Sequence, residues 1–455
     1  MGMVYIVYGS SSLSSVHLSQ LDAAEGFTIS CSETYGNQKC GSSVDVIDFN
    51  GDGLSDILCG AAISSSSSQS YGFHGYLVLG QDGSNADINT SDLIANGMVV
   101  AAGSHIDDES GTSFGSSGDF NGDGYDDLVI GAPNANNSVG TTYIMLGGSV
   151  ESYQNNKPLR SSETLIEIVG LSGSPNMGTF VTFVGDVNGD DFDDVLVSAS
   201  NDCFLVYGSA STGTISLSDT SRCVRFTGVH SPVSSLSCNA VGDFNNDSFA
   251  DLIMITEDNR EAVLVFGGGS LSSVYNASNV AYPTSLSIVF PKTSDTTINQ
   301  VYPAGDINGD DYDDVMVLLG SDVYVIYGNA SSVSSISINA LNGTRGVHVK
   351  PPASSLSYVT AACIGDINRD GYSDIIVGYP TYDNDKGITY VLYGGAAIKA
   401  WINLDDFTAS DGVYVLGDKS GAMSGYGVSS AGDVNNDGYS DIMISKIFVD
   451  YVCAY

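Results

Sequence analysis

Asp119-Phe120-Asn121-Gly122-Asp123-Gly124-Tyr125-Asp126-Asp127 is the stretch that decides how this chain is read. It places acidic or amide side chains at positions one, three, five and nine, with glycine between them. The apolar run Leu128-Val129-Ile130-Gly131-Ala132-Pro133 follows directly and reads as a strand. Carboxylates this close repel one another unless a cation sits among them. Oxygens from the four side chains, joined by the backbone carbonyl of position seven, can surround one hard ion. Calcium accepts about six to eight such ligands at adaptable geometry, where magnesium demands a stricter octahedron, so calcium is the expected ion.

The same nine residues occur seven times, with start-to-start spacings of 71, 67, 57, 63, 60 and 67 residues. The expected side-chain ligands are Asp48, Asn50, Asp52 and Asp56 in the first copy, then Asp119, Asn121, Asp123 and Asp127. Asp186, Asn188, Asp190 and Asp194 form the third set, and Asp243, Asn245, Asp247 and Asp251 the fourth. Asp306, Asn308, Asp310 and Asp314 are the fifth, Asp366, Asn368, Asp370 and Asp374 the sixth, and Asp433, Asn435, Asp437 and Asp441 the seventh. Leu54, Tyr125, Phe192, Phe249, Tyr312, Tyr372 and Tyr439 supply the carbonyls, so up to seven Ca2+ ions are expected. A lone copy would pass for an ordinary Asx-rich surface turn. Seven copies, each followed by apolar β-formers, leave that reading little room.

An EF-hand fits worse, because it needs a bidentate Glu at position twelve between helices. Here that position is Cys59, Ile130 or Ile444, inside strand-like runs. The fourth copy is the weakest, with Ser248 at position six, where Gly suits a left-handed backbone, and Ala250 before the last ligand. Asp191 and Asp311 occupy position six in the third and fifth copies, and Arg369 puts a cation beside the sixth site.

A chain of 455 residues would ordinarily suggest about three domains. Internal periodicity overrides that, because a single repeat cannot bury its apolar face alone. Residues 1–455 are therefore expected to form one domain. Asp and Glu number 53 against 14 Lys and Arg, a net charge of −39. Seven divalent ions would return about 14 charges, only part of the imbalance. Such a surface argues against nucleic acid or an anionic membrane as partner. No window is apolar for about 20 residues, so no membrane span is expected. No segment reads as a signal peptide; the chain starts on strand-like Val4-Tyr5-Ile6-Val7-Tyr8, which suits a processed or partial chain.

Each repeat carries four strand signals. A small-residue strand precedes the loop, as at 425–432, and an apolar strand follows it, as at 441–445. A third run ends in Gly at 76–80, 143–147, 204–208, 263–267, 323–328 and 390–394. A polar connection then leads to an alternating fourth strand such as 412–416. Residues 4–9 match the third strand and 26–30 the fourth, while Val16-His17-Leu18-Ser19-Gln20-Leu21 resembles Ile402-Asn403-Leu404-Asp405-Asp406-Phe407. The chain thus begins halfway through one repeat and stops halfway through another. Pairing residues 3–30 with 421–445 closes a ring of seven four-stranded antiparallel blades, an all-β propeller. The competing possibility makes 448–455 the third strand of that blade and frees 4–8 for strand addition to a neighbouring molecule.

Cys31 with Cys40, and Cys223 with Cys238, lie in corresponding intervals and are expected as disulfides. Cys59, Cys203 and Cys363 read as buried thiols, and Cys453 fits either state. No CxxC occurs, which argues against zinc. Glycosylation sequons stand at Asn89, Asn136, Asn276, Asn329 and Asn342; Asn246 also matches but lies within a loop. His17, His74, His105, His230 and His348 are scattered, and no nucleophile, zinc-protease or phosphate-loop motif accompanies them, so catalysis is not expected. Trp401 is expected to plug the space beneath its connection.

These residues resemble FG-GAP repeats, the units of the integrin α-subunit seven-bladed β-propeller. Phe114-Gly115 with Gly131-Ala132-Pro133 carries the name-giving pattern, and Tyr426-Gly427 is a near match; the other copies keep the loop without Phe-Gly. The resemblance implies calcium in the loops on one face of the ring. The function expected is a secreted or cell-surface calcium-binding structural or adhesion propeller, contacting other extracellular proteins or copies of itself. A glycan-binding propeller is the alternative. A polysaccharide-degrading enzyme is a third class, disfavoured by the few basic residues. Millimolar calcium outside cells suits open sites of this kind.

Overall fold

Asp251–Ile255 is buried at every position, as are Asp127–Ala132, Asp314–Leu319 and Asp374–Tyr379. A strand apolar on both faces must be covered on both faces, and this requirement sets the architecture. The computed structural model describes residues 2–30, 38–63, 74–80, 86–89, 99–100, 108–111, 113–148, 165–171, 173–211, 213–230, 237–258, 261–269, 271–277, 285–289, 297–330, 335–353 and 358–447. Seven sheets, numbered as blades one to seven by the acidic loop each carries, stand side by side in a ring as a β-propeller. The buried apolar residues fall into seven clusters, each drawing on two neighbouring blades. The core is therefore a set of wedges between sheets.

Within each blade the innermost strand is small-residued, as in Val428–Gly432 and Phe114–Gly118. The second and third strands pair antiparallel with it in order outward, followed by the fourth. The third strands, such as Asp202–Val206 and Ile388–Leu392, start two residues earlier than the sequence suggests and stop before the glycine. Phe-Gly and Gly-Ala-Pro have a packing cause. A Cβ on Gly115 would come within 2.6 Å of the Thr182 Cα, and one on Gly131 within 1.9 Å of the Gly178 carbonyl oxygen, both in blade three.

The ring closes as expected. Gly2–Val7 lies between Asp441–Ile447 and Gly26–Ser30, antiparallel to both, with Gly2 opposite Ile447 and Val7 opposite Ile442. The first strand is thus not spare; residues 448–455, the competing segment, lie outside the described residues.

One layer was not foreseen. Among the described residues, a short strand from the connection of six of the seven blades runs parallel to the outer strand of the blade before it. Ile88–Asn89 adds to Gly26–Ser30, Ile215–Ser216 to Leu165–Val169, and Val274–Asn276 to Cys223–Thr227. Ser335–Ser337 adds to Ser285–Val289, Trp401–Asn403 to Gly346–Lys350, and Val16–His17 to Gly412–Leu416. The likeness between residues 16–21 and 402–407 marks this added strand and the 3-10 turn after it.

Three expectations are overturned: the Cys223–Cys238 disulfide, the free thiol at Cys203 and the Trp401 plug. Cys238 is bonded to Cys203, and Cys223 is a free, buried thiol. Alternation along the sheet explains the exchange. Cys203 faces the wedge shared by blades three and four, where Cys238 also lies, whereas Cys223 faces the opposite wedge, toward blade two. Trp401 is no plug: it is 54% exposed on an added outer strand, edge-on to His348 at 4.3 Å. Cys59 is a free, buried thiol as expected, and Cys363 is free but half-buried; Cys31 and Cys453, and the Cys40 side chain, lie outside the described residues. Among the described residues no helix is long and apolar enough to cross a membrane.

Candidate metal loops

Every acidic loop joins the first strand of a blade to the second, so all seven lie at the same end of the ring. Each is built by the same bonds. The position-one carboxylate accepts the N–H of position six, at 2.7–2.9 Å in all seven copies (Asp433 from Gly438 at 2.7 Å, Asp48 from Gly53 at 2.9 Å). Position five accepts the N–H of position seven and the side-chain amide of position three, as Asp123 does from Tyr125 at 3.1 Å and Asn121 at 2.9 Å. Non-glycine residues at position six take the left-handed backbone: Ser248 has φ 73°, Asp191 68° and Asp311 66°.

Position nine is a clamp. Its aspartate is fully buried in all seven copies. In Asp127 one oxygen accepts the Phe120 N–H at 2.9 Å and the other the Gly147 N–H at 2.8 Å. The same pair of bonds recurs in the other six copies, always to position two and to the glycine that ends the third-strand run. That glycine is forced by space. A Cβ at Gly147 would sit 2.3 Å from the Asp126 carbonyl oxygen, and one at Gly328 2.4 Å from that of Asp313. In the last blade the glycine is Gly9, bonded to Asp441 at 2.8 Å across a separation of 432 residues.

Burial pushes the position-nine carboxyls up, to about 7 in Asp56, Asp127 and Asp374 and to about 8 in Asp194, Asp251, Asp314 and Asp441. Charges at positions one and five push the same way, while the two backbone N–H bonds pull against them.

Sequence reasoning missed position eight, which ties the loops to each other. Asp193 donates its N–H to the Asp119 carbonyl at 3.2 Å and accepts the Asp119 N–H on its carboxylate at 2.8 Å. Asp313 does the same for Asp243, and the Ser55 hydroxyl accepts from Asp433. Ala250, which has no side-chain acceptor, keeps the backbone bond to Asp186 at 3.0 Å. Position seven is a second tie. Rings of Tyr125, Phe192, Phe249 and Tyr372 lie over position four of the preceding loop, so close that a Cβ there would stand 2.4–2.7 Å away (2.4 Å for Tyr372, 2.7 Å for Phe192). Arg369 reaches toward the next loop, its guanidinium carbon 4.5 Å from the Tyr439 ring centre.

The loops thus bring the expected side chains onto one turn and spend many of their oxygens on backbone N–H groups. Among the described residues, no three acidic, His or Cys side chains converge as a ready-made metal cluster. The donor set nonetheless fits a hard cation: it is all oxygen, and the carboxylates keep lone pairs beyond the bonds described. The Asn188 side-chain oxygen, at position three of the third loop, is buried with no hydrogen-bond partner.

Against known proteins, the FG-GAP repeat model matches residues 41–73, 110–145 and 358–392. Chicken integrin alpha-V is 26% identical over 48% of this chain and 20% of its own length. Human integrin alpha-6 is 32% identical over 22% of this chain and 8% of its own. The chain therefore spans about a fifth or less of the length of these curated relatives. An Agrocybe aegerita lectin structure aligns over 97% of this chain and 94% of its own at 11% identity and a TM-score of 0.39, too low to carry an argument. Repeats, relatives and ring agree: the chain carries FG-GAP repeats in a seven-bladed β-propeller similar to that of integrin α subunits.

Proposed function

We propose that residues 1–455 form a single secreted or cell-surface propeller domain, stiffened by up to seven Ca2+ ions, that contacts other proteins or copies of itself without catalysis. The observation that carries the metal reading is the sevenfold recurrence of one bond pattern around acidic side chains. An ion at each loop would take the side-chain oxygens of positions one, three, five and nine and the carbonyl of position seven. It would supply the positive charge that the buried position-nine carboxylates lack. Because six of the seven neighbouring loop pairs are bonded through position eight, stiffening one of these loops restrains its neighbour.

Adhesion or assembly is supported by the likeness to integrin α subunits. His348 contacts Asp322 at 2.7 Å, but it is stacked on Tyr324 on an outer sheet face and lines no described cavity. Asn89, Asn136, Asn276 and Asn342 are exposed, as a glycoprotein of this kind requires.

Titration calorimetry of the intact chain tests the metal reading. Calcium uptake with Kd on the order of 10⁻⁴–10⁻³ M is expected, and chelation should lower Tm; at 100 times Kd one site contributes about 2.7 kcal/mol. Asp123→Ala should abolish one site and spare the rest. Absence of any uptake would overturn the proposal. Electron microscopy of the native material tests self-assembly.

A further inference from the structure

We propose that a cavity of about 710 Å³ between blades six and seven binds a neutral saccharide. This extends the contact role proposed above to a ligand class, and its site is separable from calcium because the decisive residues lie outside the loops. Tyr393, Phe407 and Tyr414 form the aromatic part of the lining. Phe407 is held edge-on to Tyr390 at 5.0 Å, and Tyr414 leans on the same ring at 6.3 Å. The facing wall is the serine-rich stretch 11–15 from the connection of blade seven, with Thr408 beside it. Ser15 is tied in place through its hydroxyl, which accepts the Tyr414 N–H at 3.2 Å. Asn368 and Asp370 of the sixth loop complete the lining.

The chemistry selects the ligand. Aromatic rings offer flat faces to the C–H side of a pyranose, and Tyr adds a hydroxyl at its edge. Serine and threonine hydroxyls both donate and accept, which suits a ligand whose own groups are hydroxyls. Asp370 spends one oxygen on the Asn368 amide at 3.0 Å and the other on the Tyr372 N–H at 3.1 Å, and as a loop residue it only borders the cavity, leaving sugar recognition to the aromatic rings and the hydroxyls of 11–15 and Thr408. The lining holds no Lys, Arg or His, so an anionic ligand finds no counter-charge there. The volume lies within the range of about 300–1,000 Å³ usual for small-ligand sites and accommodates one or two sugar rings. Tyr414 is 37% exposed, so substituting it alters the cavity without opening the core.

The test is saturation-transfer NMR with titration calorimetry on the full chain, using methyl pyranosides of glucose, galactose, mannose, fucose and xylose together with N-acetylglucosamine. At least one is expected to bind with Kd of about 1 mM or tighter. Tyr414→Ala should weaken it about tenfold or more by removing one aromatic face, with Tm unchanged, and Tyr414→Phe should retain most of it. Trp401→Ala, at the exposed aromatic of blade five, should change nothing. No saccharide binding, binding indifferent to Tyr414→Ala, binding lost with Trp401→Ala, or selective uptake of choline or methylated arginine would each overturn the proposal. None of these outcomes bears on calcium uptake, which is measured without sugar.

Discussion

Two seams of the ring are held by opposite means. Between blades three and four the chain is continuous and also stapled, because Cys203 on a third strand is bonded to Cys238 on the next innermost strand. At blade seven no covalent link among the described residues crosses the seam. Gly2–Val7 is held there by two antiparallel ladders, by Gly9 bonded to Asp441, and by buried Lys446. Lys446 is 4% exposed, reaches Asp418 at 2.6 Å and hydrogen-bonds the Tyr5 hydroxyl. Burial, with Asp418 close by, pushes that hydroxyl's titration upward. The difference shows that a ring needs a strong joint only where its chain is interrupted. At every other seam the backbone already prevents separation, and the staple adds restraint to a joint that was never open.

The comparison breaks most severely if the seventh blade loses its third strand. Removing residues 1–9 exposes the partners of Val4, Tyr5, Ile6 and Val7, all buried. At about 1.5–3 kcal/mol for each side chain the loss is roughly 6–12 kcal/mol. Calorimetry should then show a broadened or split transition, with hydrogen exchange fastest in Asp441–Ile447 and slowest in blades three and four. A single sharp transition at the original Tm would show that the seam does not depend on this strand. Next in size is the staple. Cys203→Ala with Cys238→Ala frees a loop of 35 residues and should cost about 4 kcal/mol in urea unfolding, while leaving exchange in blade seven unchanged.

Gly9→Ala sharpens the contrast. Its Cβ would fall 2.1 Å from the Ser440 carbonyl oxygen, so a loss of about 1–3 kcal/mol is expected, with exchange rising in the seventh loop. Gly267→Ala makes the same collision at 2.5 Å from the Ala250 carbonyl, where the backbone backs the seam. It should destabilise to a similar degree yet keep blade four slow to exchange. The smallest effect is expected for Lys446→Met. Packing is kept and Asp418 remains 22% exposed to water, so a loss on the order of 1 kcal/mol should be read from the unfolding midpoint.

Repetition made most of the fold legible. The loop marks the turn between the first two strands of each blade, and the match of 4–9 and 26–30 to later strands foretold the closure. What was hidden is what needs three dimensions. Cys203 reads as part of a strand and Cys223 as part of a connection, yet both lie on strands and face opposite wedges, and only the sheet register decides which one meets Cys238. Position eight escaped notice because its partners lie in the neighbouring loop, some 70 residues away, as with Asp313 and Asp243. The glycine after each third strand was visible as a repeated letter, but its reason, the carbonyl it nearly touches, was not. The added outer strands are two or three residues long, too short for alternation to register. Trp401 sits on one of them, and a polar neighbourhood gave no sign that its ring faces solvent.

Those brief strands also decide how the molecule can meet others. A sheet whose last strand is bare invites a stranger to continue it, with backbone serving as glue and sequence scarcely consulted. Among the described residues, six margins are already occupied by a piece of the adjoining blade. Whatever docks along that perimeter must be recognised through its side chains, and selectivity follows from the shingled construction itself.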